Sequence, residues 1–211
     1  MEHYIEFALL AFTSFFTLIN PLGVMPVFMS MTAGLDVKQR KQVAVKAIIT
    51  SVIILLLFAV TGQLLFNFFS ITVDSFRIVG GIIFFMMGYD MLQARISKIK
   101  LNSDEEKRNY GTDIAITPLG IPMITGPGAI TNSIVLMEDA AGWADKIILI
   151  VCVLIVMAIT LLLLLFSSRI MKVLGETGNM VLMRIMGLIV MVIAVEFFFS
   201  GLKPVLQSII H

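Results

Sequence analysis

Charge is scarce in this chain: 14% of its 211 residues are Asp, Glu, Lys or Arg, and the net charge is +1. The basic residues are scattered through short segments, which excludes a nucleic-acid partner and a polybasic surface patch. Cysteine is reduced to Cys152 alone. It cannot form an intrachain disulfide, and within an apolar run it reads as a small core or lipid-facing residue. The only histidines are His3 and His211, at the extreme ends. That leaves no HExxH helix and no Ser and His dyad, and "GYD" at 88–90 supplies one aspartate without a partner. The chain is therefore expected to be no enzyme and to hold no metal or cofactor. No glycine-rich loop with a phosphate-binding lysine is present, which excludes direct use of ATP. The opening "MEHYIEF" has neither a basic n-region nor a small-residue cleavage site, so a removable signal peptide is not expected.

Apolar residues are plentiful. At 59% of the chain, with a mean hydropathy of +1.02, they exceed what a water-soluble domain can cover, and the chain reads as an integral membrane protein. A crossing helix needs ~20 predominantly apolar residues. Residues 47–66 and 147–166 meet this cleanly, 7–35 and 114–137 are uncharged stretches, and 71–92 and 180–202 carry ionisable residues. Six spans result. As one straight helix the first would measure roughly 43 Å at ~1.5 Å per residue, more than the ~30 Å hydrocarbon core.

Orientation follows from Lys and Arg near the span ends. Lys38, Arg40, Lys41 and Lys46 follow the first span; Arg95, Lys98, Lys100, Lys107 and Arg108 follow the third; Arg169 and Lys172 follow the fifth. The opposite side has Lys146 and Lys203, with Arg77 and Arg184 inside helix starts. Eleven against two places both termini outside. The polar segment 93–113 reads as a cytoplasmic linker between residues 1–92 and 114–211, and three spans per half force the second half to insert with opposite topology.

Landmarks recur across that divide. Pro21 and Pro127 are 106 positions apart, as are Asp90 and Glu196, while Arg77 and Arg184, and Gly80 and Gly187, are 107 apart. "RIVG" at 77–80 thus meets "RIMG" at 184–187, and "NPLG" at 20–23 pairs with "GPGA" at 126–129. The fold expected is an all-α membrane protein of six transmembrane helices, built as two inverted three-helix repeats with helices one and four broken.

The breaks come from proline and glycine. Proline lacks an amide donor and clashes one turn back, and glycine costs ~1 kcal/mol relative to alanine within a helix. Asn20, Pro21, Gly23 and Pro26 fall midway along the first span, and Pro118, Gly120, Pro122, Gly126, Pro127 and Gly128 lie in the fourth. Unwound backbone at membrane depth belongs in a protein interior or a wet cavity. Helix starts exposed there direct positive dipole ends at anionic groups, with Pro21 and Pro127 near the first helical position that proline favours. Ser14, Thr17 and Asn20 lie on roughly one face, and Thr125, Thr131, Asn132 and Ser133 surround the second break. A pocket of amides and hydroxyls without charge suits a small zwitterion. The expected substrate-binding set is Thr17, Asn20, Pro21 and Gly23 with Thr125, Gly126, Pro127, Gly128 and Thr131. Glu196, roughly 9 Å inside the outer end of the last span at ~1.5 Å per residue, is the candidate for proton coupling.

"NPLGVMPVFMSMT" (20–32), "PLGIPMITGPGAI" (118–130), "DSFRIVGGI" (74–82) and "RIMGLIVMVIAVEFF" (184–198) resemble the MarC family of six-span inner-membrane proteins, also grouped as small neutral amino acid transporters. The resemblance spans essentially the whole chain. It implies a bacterial or archaeal plasma-membrane protein acting on glycine- or alanine-like amino acids, with Asn20, Pro21, Gly23, Gly126, Pro127 and Gly128 as motif positions. Two activities remain open: a secondary carrier coupled to H+ or Na+ or running as an exporter, and a channel whose pore the same breaks line.

Overall fold

The computed structural model describes residues 2–93 and 110–210, without the side chains of residues 171, 172, 176 and 208–210. Most of the 93–113 linker, including Arg95, Lys98, Lys100, Lys107 and Arg108, lies outside the described residues. Among the described residues all regular structure is helical. Five helical stretches are long and apolar enough to cross a membrane, and one bent pair passes the same test as a sixth candidate. Their outward faces are apolar, as lipid requires. Ile49, Ile53, Leu57, Val60, Leu64 and Phe68 form one exposed stripe, and Val181, Ile185, Leu188, Val192, Val195 and Phe199 form another, each at the three-and-four spacing of a single helix face.

The first span is α1 (Glu2–Ile19) followed by α2 (Pro21–Met31). Asn20 between them is left-handed, at φ 48° and ψ 66°, a region asparagine tolerates. Its amide donates to the Phe16 carbonyl at 3.0 Å, and its carbonyl accepts from Gly23 at 2.9 Å and Val24 at 3.0 Å. Pro21 occupies the first position of α2, where no amide is needed. The helix therefore resumes after one residue, and Glu2–Met31 remains one 30-residue span. This corrects the expectation that helix one is broken as helix four is: the first is a single-residue interruption within one span.

The second span, α3 (Val37–Phe69), starts ten residues earlier than the apolar run because Asp36 and Gln39 form a reciprocal cap. The Arg40 guanidinium donates to the carbonyls of Thr32 and Leu35 at 3.0 Å and Ala33 at 3.1 Å, pinning the preceding turn. Thr72 caps α4 (Val73–Leu92) through the Ser75 amide at 3.1 Å.

The fourth span is broken. In α5 (Ala115–Ile124), whose helical lead-in begins at Tyr110, Thr117 and Ile121 are extended, because a residue preceding proline is pushed out of the α region. Both of the X-Pro bonds that follow are cis. The Thr125 amide reaches back to the Gly120 carbonyl at 2.8 Å, closing a wide turn. The chain bends by 60° into α6 (Pro127–Asp139), which again starts on proline. Beyond it run α7 (Trp143–Ile170) and α8 (Thr177–Gln207), separated at Gly175, whose φ of 68° favours glycine.

Small residues bring α4 and α8 together antiparallel. Side chains built on the glycines would meet opposing backbone: at Gly81 the Ala194 carbonyl at 2.8 Å, at Gly88 the Gly187 carbonyl at 2.8 Å, and at Gly201 the Asp74 carbonyl at 2.5 Å. Asp74, Gly81 and Gly88 recur every seven residues, as do Gly187, Ala194 and Gly201. This is a small-residue seam, the arrangement through which membrane helices gain close dispersion contact without a hydrophobic drive between them. The start of α1 lies beside the start of α7, where His3 Nε2 is 3.4 Å from Asp145 Oδ2. Lower on the same pair the Cys152 thiol faces the Ala8 carbonyl at 3.6 Å, so Cys152 is a core residue. On the other side α3 packs over α5 and α6, with Gly62 against Ile134 and the Ser51 hydroxyl 3.5 Å from the Gly120 carbonyl.

Candidate functional site: a small cavity where the interruptions meet

Proline chemistry creates the polar content of the site. Residues 21, 26, 118, 122 and 127 have no amide to offer, so the carbonyls four residues before them lose their helical partner. The Asn20 side chain serves the other end of the interruption, the free amides at the start of α2. Its Oδ1 accepts from the Gly23 amide at 3.1 Å, which fixes Nδ2 as the free end of the group. A Cβ at 23 would overlap the Asn20 amide, with Cγ at 2.8 Å, so glycine leaves Asn20 its capping position. The start of α6 differs: Gly126 contributes no side-chain cap. The amide at the start of α2 is thus already engaged by Asn20, and the α6 start is the uncapped one.

Thr17, Asn20 and Gly23 line a cavity. Leu18, Ile19 and Val24 of the same span join them, and the facing walls are Phe84, Met87 and Met91 of α4, Met123 of α5, and Val190 and Ile193 of α8. The volume open to the centre of a water molecule is about 30 Å³. One water needs about 10–15 Å³ on that measure, so the cavity holds about two.

The fourth-span residues stand directly behind this wall. A Cβ on Gly126 would collide with the Phe84 ring, and one on Gly128 would lie 2.9 Å from Leu18 and 3.4 Å from Phe84. Pro127 packs on Gly80, 2.5 Å from the place of its missing Cβ. Phe84 and Leu18 therefore join the two interruptions. Thr131 and Asn132, one turn on from Gly128, share its face of α6. Of the predicted residues, Thr17, Asn20 and Gly23 reach the cavity, while Pro21, Thr125, Gly126, Pro127, Gly128 and Thr131 are buried and do not line it. Glu196 is exposed on α8 and does not line it. Composition pointed to none of the apolar walls. The one usable signal is Phe84, Met87 and Met91, which share a helix face.

Five buried side-chain polar atoms among the described residues have no hydrogen-bond partner: Asn20 Nδ2, Thr125 Oγ1, Thr131 Oγ1, Asn132 Nδ2 and Asp145 Oδ1. Four of the five belong to the two interruptions or to the turn that follows the second. An unpaired buried group costs about 1–3 kcal/mol, so each of these atoms is held at a cost to stability. No group of three or more His, Cys, Asp or Glu that could hold a metal occurs among the described residues.

An all-helical chain with lipid-type outer faces, one broken span and unpaired neutral polar atoms buried at its interruptions defines a multi-pass integral membrane protein. Residues 5–206 match the family described as MarC family integral membrane protein, and the chain belongs to that family. It is similar to the UPF0056 membrane protein MJ1677 of Methanocaldococcus jannaschii, 36% identical over 203 residues covering 96% of this chain and 98% of the relative. It is also similar to the UPF0056 membrane protein YvbG of Bacillus subtilis, 38% identical over 208 residues covering 96% and 99%. The relatives span bacteria and archaea, and their names specify no substrate. No solved structure matches the chain.

Proposed function

We propose that the protein is a secondary transporter of small neutral amino acids, glycine- or alanine-like, working by alternating access in the plasma membrane with both termini outside. The observation that carries this reading is the set of unpaired buried atoms on Asn20, which lines the cavity, and on Thr125, Thr131 and Asn132 of the second interruption and the helix that follows it. Hydroxyl and amide groups without a protein partner are satisfied by a polar solute small enough to reach them, and their neutrality suits a zwitterion.

The moving parts are the two halves, 1–92 and 114–211, related as inverted repeats. The antiparallel α4 and α8 pair supports this, because the third helix of each half meets the other as a two-fold axis in the membrane plane requires. The start of α2 faces Val190 and Ile193 of α8, and the start of α6 faces Gly80 and Phe84 of α4, a reciprocal exchange between halves. A cavity with room for two waters is too small for glycine. Admission therefore requires the halves to part, which favours a carrier over a standing pore.

The test is uptake of radiolabelled glycine and alanine into vesicles containing purified protein, with pH and Na+ gradients imposed separately to identify the coupling ion. Saturable uptake is expected. Flux that rises linearly with concentration and is insensitive to solute on the far side would replace the carrier with a channel.

A further inference from the structure

The central cavity has a neighbour. Between α2, α4 and α5 lies a second hollow, lined by Val27, Met31, Met87, Asp90, Met91, Pro118 and Met123, with about 140 Å³ open to water centres. Met87, Met91 and Met123 line both this hollow and the central cavity. On α4 the two lie along one face: Phe84, Met87 and Met91 face the cavity, and Met87, Asp90 and Met91 face the hollow. Asp90 is three residues, ~4.5 Å of helix rise, beyond Met87, close to the end of α4 at Leu92. No other residue of the lining is ionisable, and Asp90 makes no ion pair with another described residue.

From this geometry we propose that the hollow is the access vestibule of the central cavity, with Asp90 selecting solutes that carry a positively charged amino group and Met87, Met91 and Met123 forming the partition. A carboxylate in an otherwise apolar funnel attracts an ammonium group and repels a carboxylate that lacks one. Methionine is the side chain best suited to a partition that opens and reseals, since its unbranched chain repacks at low cost. The sequence of contacts is then ammonium to Asp90 in the vestibule, followed by passage of the methionines to the free Asn20 Nδ2, which donates to the solute carboxylate. The inference rests on the transport reading for its substrate class, whereas the vestibule itself is testable without transport.

Accessibility tests the route. In a Cys152→Ala background, Met123→Cys should react with a membrane-impermeant maleimide from the side that labels a Gln93→Cys control, and from that side only. No labelling, as in a groove filled by lipid chains, or labelling from the opposite side overturns the vestibule. Selectivity tests Asp90. Asp90→Asn should raise the KM for glycine counterflow about tenfold with the maximal rate within twofold, and Asp90→Glu should restore most of it. Ethylamine should compete with glycine at the vestibule and propionate should not. An unchanged KM, or equal competition by both, overturns the role of Asp90. If the unmodified protein shows no counterflow while Met123→Cys labels as expected, the transport reading fails and the vestibule stands.

Discussion

Replacing Gly23 with alanine tests the local geometry of the first interruption. The built Cβ overlaps the Asn20 amide, and its three nearest atoms all belong to Asn20, out to Oδ1 at 3.1 Å. The variant must therefore expel the Asn20 side chain, losing its bond to the Gly23 amide and forcing the amide against the cavity wall. Overpacking of this kind costs about 1–3 kcal/mol. In an Asn20→Gly background the obstacle is gone and residue 20 keeps its left-handed backbone without penalty. There the same alanine gains up to ~1 kcal/mol of helix propensity. The two substitutions should be coupled by about 2 kcal/mol, against the ~0.3–0.5 kcal/mol scatter of independent sites. For a chain of this size 1 kcal/mol moves Tm by about 2–4 °C. Thermal unfolding in detergent should show Gly23→Ala lowering Tm by about 4–8 °C in the natural chain, and leaving it unchanged or slightly higher in the Asn20→Gly chain. Equal losses in both backgrounds would refute the capping geometry.

Two other predictions concern the second interruption and the seam. Thr125→Val and Thr131→Val remove unpaired hydroxyls, so each should leave Tm unchanged or raise it by a few degrees, by about 1 kcal/mol or more, while suppressing glycine counterflow; a lowered Tm would mean that the hydroxyls have protein partners. Gly88→Ala sets a methyl against the Gly187 carbonyl at 2.8 Å and should cost about 1–3 kcal/mol, whereas Gly142→Ala, with nothing within 4 Å, should not move Tm; equal behaviour of the two in a melting assay would contradict the seam.

The spans were legible because hydropathy is a property of composition: four of the six apolar stretches lie wholly inside helical spans or the bent pair, while 7–35 overruns its span past Met31 and 71–92 starts two residues before α4. Helix ends were less so. The start of α3 is set by Asp36 and Gln39, and its charged first turns look like loop in any hydropathy profile. Both interruptions were visible because proline acts on its own chain neighbours, whatever surrounds it. Their inequality was not: one left-handed asparagine followed by proline at the first helical position restores the helix at once, while two X-Pro steps four residues apart do not. Thr17, Asn20 and Gly23 were identified from their polarity or break chemistry. Phe84, Met87, Met91 and Met123 were not, since an apolar residue facing a cavity and one facing lipid look alike in sequence. The seven-residue seam of Gly81 and Gly88 with Gly187 and Ala194 lay in view, yet only the packing of α4 on α8 gives those spacings their meaning.

The most direct measurement is counterflow: vesicles containing the purified protein are loaded with unlabelled glycine and given a trace of labelled glycine outside. A cavity that alternates between two sides predicts transient accumulation of label above equilibrium, which disappears when the internal glycine is omitted. Label that only equilibrates, at a rate indifferent to what the vesicles contain, would contradict the account.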